Sequence, residues 1–354
     1  MRRLLLSCAL SLLVYAGAFS CLLDRPLTLG VLQARIEANL TLGRAIQTPK
    51  LVILAGSNGP YSHRCETIQP LIGRPCINAG VAVGVGLDYL FTRWKPELHP
   101  GDIVYLPLEE AQYVRSRLTS DLGPDAAIML RHDRTTLLAM PPRRQIAALF
   151  SGDLRGAIMS AIETALVSDD FNDPRAAASG GFNTLGDRIG HTARLAAGNL
   201  PALAAMVPFH PTAGEIAAGY GTRVVGGFIR WASLHGVRVI GGLPVGFIDS
   251  PIGAEEKAAI EAVFRDRGVP FLETAGGGRF PRSAFFDTPD HLNETFQIEN
   301  SRAVARGLKA LGPGGATSQP LGGSHQPFTV MAGGADPGKG VDGGRRPHDG
   351  IHRP

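Results

Sequence analysis

The run Leu51-Val-Ile-Leu-Ala-Gly-Ser57-Asn-Gly-Pro60 constrains this chain more than any other stretch. A short apolar segment of strand character passes straight into Gly56-Ser57-Asn58 and then into a helical pattern. A buried strand that turns at once into a helix is the opening unit of a parallel α/β sheet. The alternation then continues, with strands expected at Pro75–Gly80, Ile103–Leu108, Val237–Val245 and Val269–Leu272. Between and around them the spacing predicts helices at Val31–Leu42, Ser62–Leu71, Leu87–Trp94, Ala213–His235, Ala254–Arg267 and Leu292–Leu311. Such an order gives a parallel sheet with helices on both faces, and its ligands bind outside the carboxyl ends of the strands.

Two regions depart from this rhythm. Residues from about 118 to 211 are rich in Ala and Arg, and read as a helical insertion over the carboxyl edge of the sheet. From Gly312 to Pro354 the composition turns to Gly, Pro, Ser, His and charge. That segment cannot bury enough apolar surface to offset its ordering entropy and is expected to be disordered. At the other end, residues 1–23 carry two arginines, an apolar stretch and the small residues Ala16-Gly17-Ala18. This pattern fits a secretory leader cleaved after Ala18. The apolar run is also long enough for an uncleaved anchor of roughly twenty residues. Either way the main domain, 24–311, is expected in the periplasm or outside the cell.

Composition excludes several classes. The hydrophobic fraction of 44% supplies a sizeable core, and the net charge of +4 is small for 354 residues. No dense Lys/Arg stripe with interleaved aromatics is present, which argues against a nucleic-acid partner. Gly80, Gly84 and Gly86 have the wrong spacing for a dinucleotide fingerprint. No Cys or His pattern has zinc-ligand spacing, so neither a metal nor an organic cofactor is expected. Cys65 and Cys76 read equally well as a disulfide closing a short loop or as two buried thiols.

The chemistry-bearing residues lie far apart in sequence. Ser57 at the carboxyl end of a buried strand has its hydroxyl at the mouth of the sheet. Downstream, Phe286-Asp287-Thr-Pro-Asp290-His291-Leu-Asn293 brings an imidazole and two carboxyls together. A serine hydroxyl needs an adjacent base, and imidazole is suited to exchange protons near neutral pH. The plainer readings are a turn serine capping the next helix and a histidine at the entry to the last one. His63, six residues after Ser57, is expected to face outward.

Gly56-Ser57-Asn58 after the first strand, Asn78-Ala79-Gly80 after the second, Pro100-Gly-Asp102 before the third, and Asp287 to Asn293 together resemble the SGNH hydrolase superfamily. These are the GDSL-like esterases, and the likeness is to a divergent exported branch associated with bacterial exopolysaccharides. It covers about residues 50–117 and 213–311. The resemblance implies a flavodoxin-like three-layer fold and ester hydrolysis or acyl transfer. It assigns Ser57 as nucleophile, His291 as base, Asp287 as the carboxylate that orients the ring, and the Ser57 and Gly80 N–H groups as oxyanion donors. The sequence departs from the pattern after the third strand, where Glu109 stands in place of the usual asparagine donor. Asn58, Asn78, Glu109, Asn183 and Asp187 are expected to line the cleft; Asn183 to Asp187 reads alternatively as a turn that opens a helix. The implied partner is an acylated polysaccharide such as cellulose, or its acyl donor, or else a polysaccharide synthesis complex bound without catalysis.

Overall fold

The computed structural model describes residues 1–22, 27–149, 151 and 181–312. Five short strands form one parallel sheet: β1 (Leu51–Ile53), β2 (Cys76–Asn78), β3 (Ile103–Leu106), β4 (Arg238–Gly242) and β6 (Phe271–Leu272). Their order is β2-β1-β3-β4-β6, that of a flavodoxin-like doubly wound sheet. In register, Leu51 pairs with both Cys76 and Ile103, and Tyr105 with Ile240. The remaining two strands, β5 (Gly246–Phe247) and β7 (Arg279–Phe280), make a separate parallel pair. Sequence periodicity does not register that pair, because two-residue strands carry no period.

Helices before the insertion are α1 (Arg2–Leu22), α2 (Leu27–Ala45), α3 (Asn58–Ser62), α4 (Cys65–Ile72), α5 (Leu87–Trp94) and α6 (Glu110–Val114). The described part of the insertion is helical, in short pieces from α7 (Arg117–Asp121) and α8 (Pro124–His132) to α9 (Arg134–Ala139), α10 (Pro142–Ala148), α11 (Ala193–Ala196) and α12 (Leu200–Ala205). After it come α13 (Ala213–Ala218), α14 (Tyr220–Leu234), α15 (Ala254–Arg265) and α16 (Glu294–Ala310). Among the described residues no helix is long and apolar enough to cross a membrane. The Gly/Pro-rich tail beyond residue 312 lies outside the described residues, as does the middle of the insertion.

The strands are apolar on both faces, as a sheet covered on both sides requires. Val52, Leu54, Val104 and Leu106 pack into one core with Tyr89, Trp94 and Phe228. Leu51, Ile53 and Tyr105 point the other way, onto Ile68, Val304 and Leu308. That alternation makes three layers. At the amino end of the strands Lys50 and Asp102 form a fully buried ion pair, 3.0 Å apart. Asp102 also accepts the Lys50 and His99 N–H groups, which explains an aspartate just before an apolar strand.

Two expected helices are broken. The stretch Ser62–Leu71 is two helices, α3 and α4, because His63 and Arg64 adopt extended backbone between them. The stretch Ala213–His235 breaks at Gly219, where a Cβ would lie 2.1 Å from the Tyr113 carbonyl oxygen. Two residues on, a Cβ at Gly221 would lie 1.7 Å from that of Gln112. Glycine there lets α14 press its first turn onto α6, which follows Glu109.

Cys65 and Cys76 are joined in a disulfide, Cα to Cα 5.2 Å, linking the start of α4 to the start of β2. The bridge closes a sequence separation of 11 residues, for which loop-closure entropy stabilises by about 3 kcal/mol. The Cys65→Ser/Cys76→Ser double variant is therefore expected to lose about that much in urea unfolding. An unchanged unfolding midpoint would show that the bridge contributes nothing to the fold.

Candidate functional site

Ser57 and Glu109 follow β1 and β3, the neighbouring strands between which the strand order reverses. The crevice at such a switch point is where α/β sheets take their ligands. Glu109, 4% exposed, reaches across it. Its Oε1 accepts the Asn58 N–H at 2.9 Å, and the neighbouring Ser57 hydroxyl and N–H also favour the charged form of this carboxyl. A Cβ on Gly56 would sit 2.5 Å from that oxygen; only glycine leaves room for the carboxyl to reach the turn. Burial pushes Glu109 up to about 7, against the opposing pull of those hydrogen bonds. The Glu109 N–H is in turn fixed by Gln112 Oε1 at 3.1 Å.

His291 Nδ1 lies 2.6 Å from Asp287 Oδ1. A carboxylate at Nδ1 selects the tautomer with its proton there and leaves Nε2 as the basic nitrogen. The loop that carries this pair is pinned to α3, the helix that begins right after Ser57. Ser62 Oγ donates to the Asp290 carbonyl at 2.7 Å and accepts the Leu292 N–H at 3.3 Å. Tyr61 stacks on the His291 ring with centroids 4.0 Å apart and planes 11° off parallel. Phe286 and His191 pack against the same tyrosine, and the Arg188 guanidinium lies 5.4 Å from its centroid. The imidazole and the serine thus occupy the same edge of the sheet. Among the described residues no hydrogen bond joins them directly; the side chain that meets Ser57 is Glu109.

Helix α16 holds this loop in register. Asn300 donates to the Ser62 carbonyl at 2.8 Å, and the buried Gln297 amide donates to the carbonyls of Pro60, His63 and Arg188. Arg64 adds an ion pair to Glu294 at 2.7 Å. His63 sits inside this junction, 1% exposed, which corrects the expectation that it faces outward. The break between α3 and α4 turns its ring against Tyr105, and burial pushes its pKa down to about 4.

The other expected cleft residues serve the fold. Asn58 Nδ2 donates to the Pro107 carbonyl at 2.7 Å, tying the two turns together. Asn78 Nδ2 reaches the Gly59 and His63 carbonyls and Asp187 Oδ1. Asp187 is wholly buried and accepts the Cys65 and Glu66 N–H groups at the start of α4. Asn183 closes a turn around it through both its own amide and its carbonyl. This is the turn-and-cap reading of the Asn183–Asp187 stretch, although the helix capped is α4, far earlier in the chain. Gly80 packs on α3, where a Cβ would meet the Gly56 carbonyl at 2.7 Å. Its own carbonyl accepts Arg35 Nη2 at 2.7 Å, and its N–H donates to no acceptor among the described residues.

Sequence reasoning passed over Tyr61, Glu110 and Arg279, and set Asp290 aside in favour of Asp287. Tyr61 carried a signal, since four residues after Ser57 is one helical turn along. Asp290 and Glu110 stand beside residues that were selected, but nothing in the sequence showed that their carboxyls meet. Arg279 had no local signal at all. Among the described residues no group of His, Cys, Asp and Glu could hold a metal ion.

If Asp187 is a structural cap, Asp187→Ala orphans two helix N–H groups and an amide in the interior. The expected loss is about 3 kcal/mol or more in urea unfolding. Unchanged stability would return Asp187 to the cleft as a ligand-facing group.

Comparison with known proteins finds no similar family model, curated protein or solved structure.

Proposed function

We propose that the chain is an exported, SGNH-like serine esterase or acyltransferase acting on O-acyl groups of an exopolysaccharide such as cellulose. One observation carries the reading: a hydrogen-bonded Asp287–His291 pair is held against the helix that starts at Ser57. The polysaccharide substrate and the export rest on the sequence, through the motif resemblance and the basic-then-apolar N-terminus.

In this reading Ser57 Oγ attacks the ester carbonyl carbon and its proton passes to His291 Nε2. His291 then returns that proton to the departing sugar oxygen, leaving an acyl-serine. Water completes hydrolysis, or a second hydroxyl completes transfer, with His291 again taking and giving back the proton. Asp287 keeps the ring in the working tautomer and stabilises the imidazolium. The Gly80 N–H supports the oxyanion, and the Ser57 N–H joins it by turning from Glu109 toward the substrate. A neutral Glu109, the form that burial favours, releases that N–H more readily than a carboxylate and does not oppose the oxyanion's charge.

A second reading has its own support. Glu109 already takes the Asn58 N–H and sits beside Ser57, as it would in a site that never forms an oxyanion. The chain would then be a non-catalytic accessory that binds polysaccharide or a polysaccharide synthesis complex.

Turnover of p-nitrophenyl acetate is expected to fall about a thousandfold in both Ser57→Ala and His291→Ala. Equal turnover in wild type and Ser57→Ala removes the triad. Retained binding of acetylated cellulose in the double variant, with no turnover in wild type, decides for the accessory. Because Glu109 titrates near 7, its charge opposes the oxyanion above that pH and not below it. The ratio of Glu109→Gln to wild-type turnover should therefore rise from pH 6 to pH 8, and a flat ratio would contradict this role.

A further inference from the structure

Next to the Ser57 turn lies a partly open cavity of about 140 Å3, room for several waters or for one small ring or short stem. Glu109, Glu110 and Asp290 line it beside a single guanidinium, Arg279, with Phe247 and Phe209 on the apolar side. His210 also borders the space, but both its ring nitrogens are engaged, by Glu256 and by Ser250.

Of these three carboxyls Glu109 holds the Asn58 N–H, and the other two lack such partners. Glu110 is only 8% exposed, yet among the described residues no other side chain or main-chain group hydrogen-bonds or ion-pairs with its carboxyl. Asp290 uses its main chain to hold Ser62 and Thr288, while its carboxyl makes no such bond. Arg279 spends one N–H on the Pro244 carbonyl at 3.1 Å, its buried Nε has no partner, and it forms no ion pair among the described residues. Three acids thus face one base across a partly open space. Burial and mutual repulsion raise all three acids above their usual range.

We propose that this cavity binds a primary ammonium group carried on a small ring or short hydrocarbon stem. An ammonium brings three N–H donors and a positive charge, where ionised carboxylates only accept. The two acids left unbalanced by Arg279 supply both requirements. A neutral hydroxyl ligand would satisfy hydrogen bonds without stabilising the ionised form of these carboxyls. A bare metal ion does not suit the site, since these carboxyls are not arranged as a ligand set. The Phe247 and Phe209 side takes the carbon atoms of the stem. Bound cation favours the ionised carboxyls, so binding releases protons to the solvent. The inference stands apart from Ser57 acting as a nucleophile; the two readings share only Glu109.

Titration calorimetry of the full chain at pH 6.5 with glucosamine, and with glucose as its uncharged match, tests this directly. Glucosamine is expected to bind about tenfold more tightly than glucose or better. Its heat should depend on the buffer's ionisation enthalpy in the sense of proton release. Glu110→Gln and Asp290→Asn, each checked for native circular dichroism, should each weaken glucosamine by about tenfold. Ser57→Ala should bind as wild type does, even where ester turnover is lost. Equal affinity for the two sugars, no binding of either, or binding indifferent to both carboxyl variants would each overturn the proposal.

Discussion

The carboxyl of Glu109 on the Asn58 N–H, beside Ser57, is the contact on which the geometry of this edge depends. Leaving one such buried donor without a partner costs about 1–3 kcal/mol. The carboxyl therefore fixes where β1 turns into α3. Gly56 is the consequence, because any side chain there would occupy the place of the carboxyl. The same group presents its other side to the cavity holding Glu110 and Asp290. One acid thus joins the serine turn, the strand switch point and the cavity beside them.

A second set of bonds delivers the remote histidine. Helix α16 packs Val304 and Leu308 in one core with Ile68 of α4, but its earlier turns bury polar side chains. It uses Gln297, Asn300 and Ser301 to satisfy the carbonyl and N–H groups exposed where those helices part. Such amide bonds are directional, and they set the position of residues 286–293 more tightly than apolar packing could. Ser62 and Tyr61 complete the docking from the α3 side. The disulfide and the Asp187 cap hold the start of α4 from beneath, so the serine turn has a rigid floor.

How much of this was legible in the sequence follows from the range of each interaction. The five sheet strands could be read because each is a short apolar run bounded by turns, and β1, β3 and β4 fall where those runs predict them. Helix α5 matches its expected span to the residue, since its periodicity and boundaries are local. The breaks at His63 and Gly219 were invisible: each is imposed by a distant segment, the side chains of α16 in one case and the backbone of α6 in the other. The same reason explains Asn58, Asn78, Asn183 and Asp187. Their residue types suited a cleft, but each is committed to a backbone group or side chain elsewhere in the fold. The pairing of Asp287 with His291 was readable because four residues separate them. The approach of Glu109 to Ser57 was not, although the sequence did mark that position as a departure.

Whether Ser57 is an activated alcohol is answered most directly by covalent trapping. The purified chain would be treated with a fluorophosphonate, digested and mapped by mass spectrometry. A single adduct on the peptide containing Ser57, formed much more slowly in His291→Ala, is the expected result. No adduct, an adduct on another serine, or a rate at Ser57 that ignores the loss of His291 would contradict it.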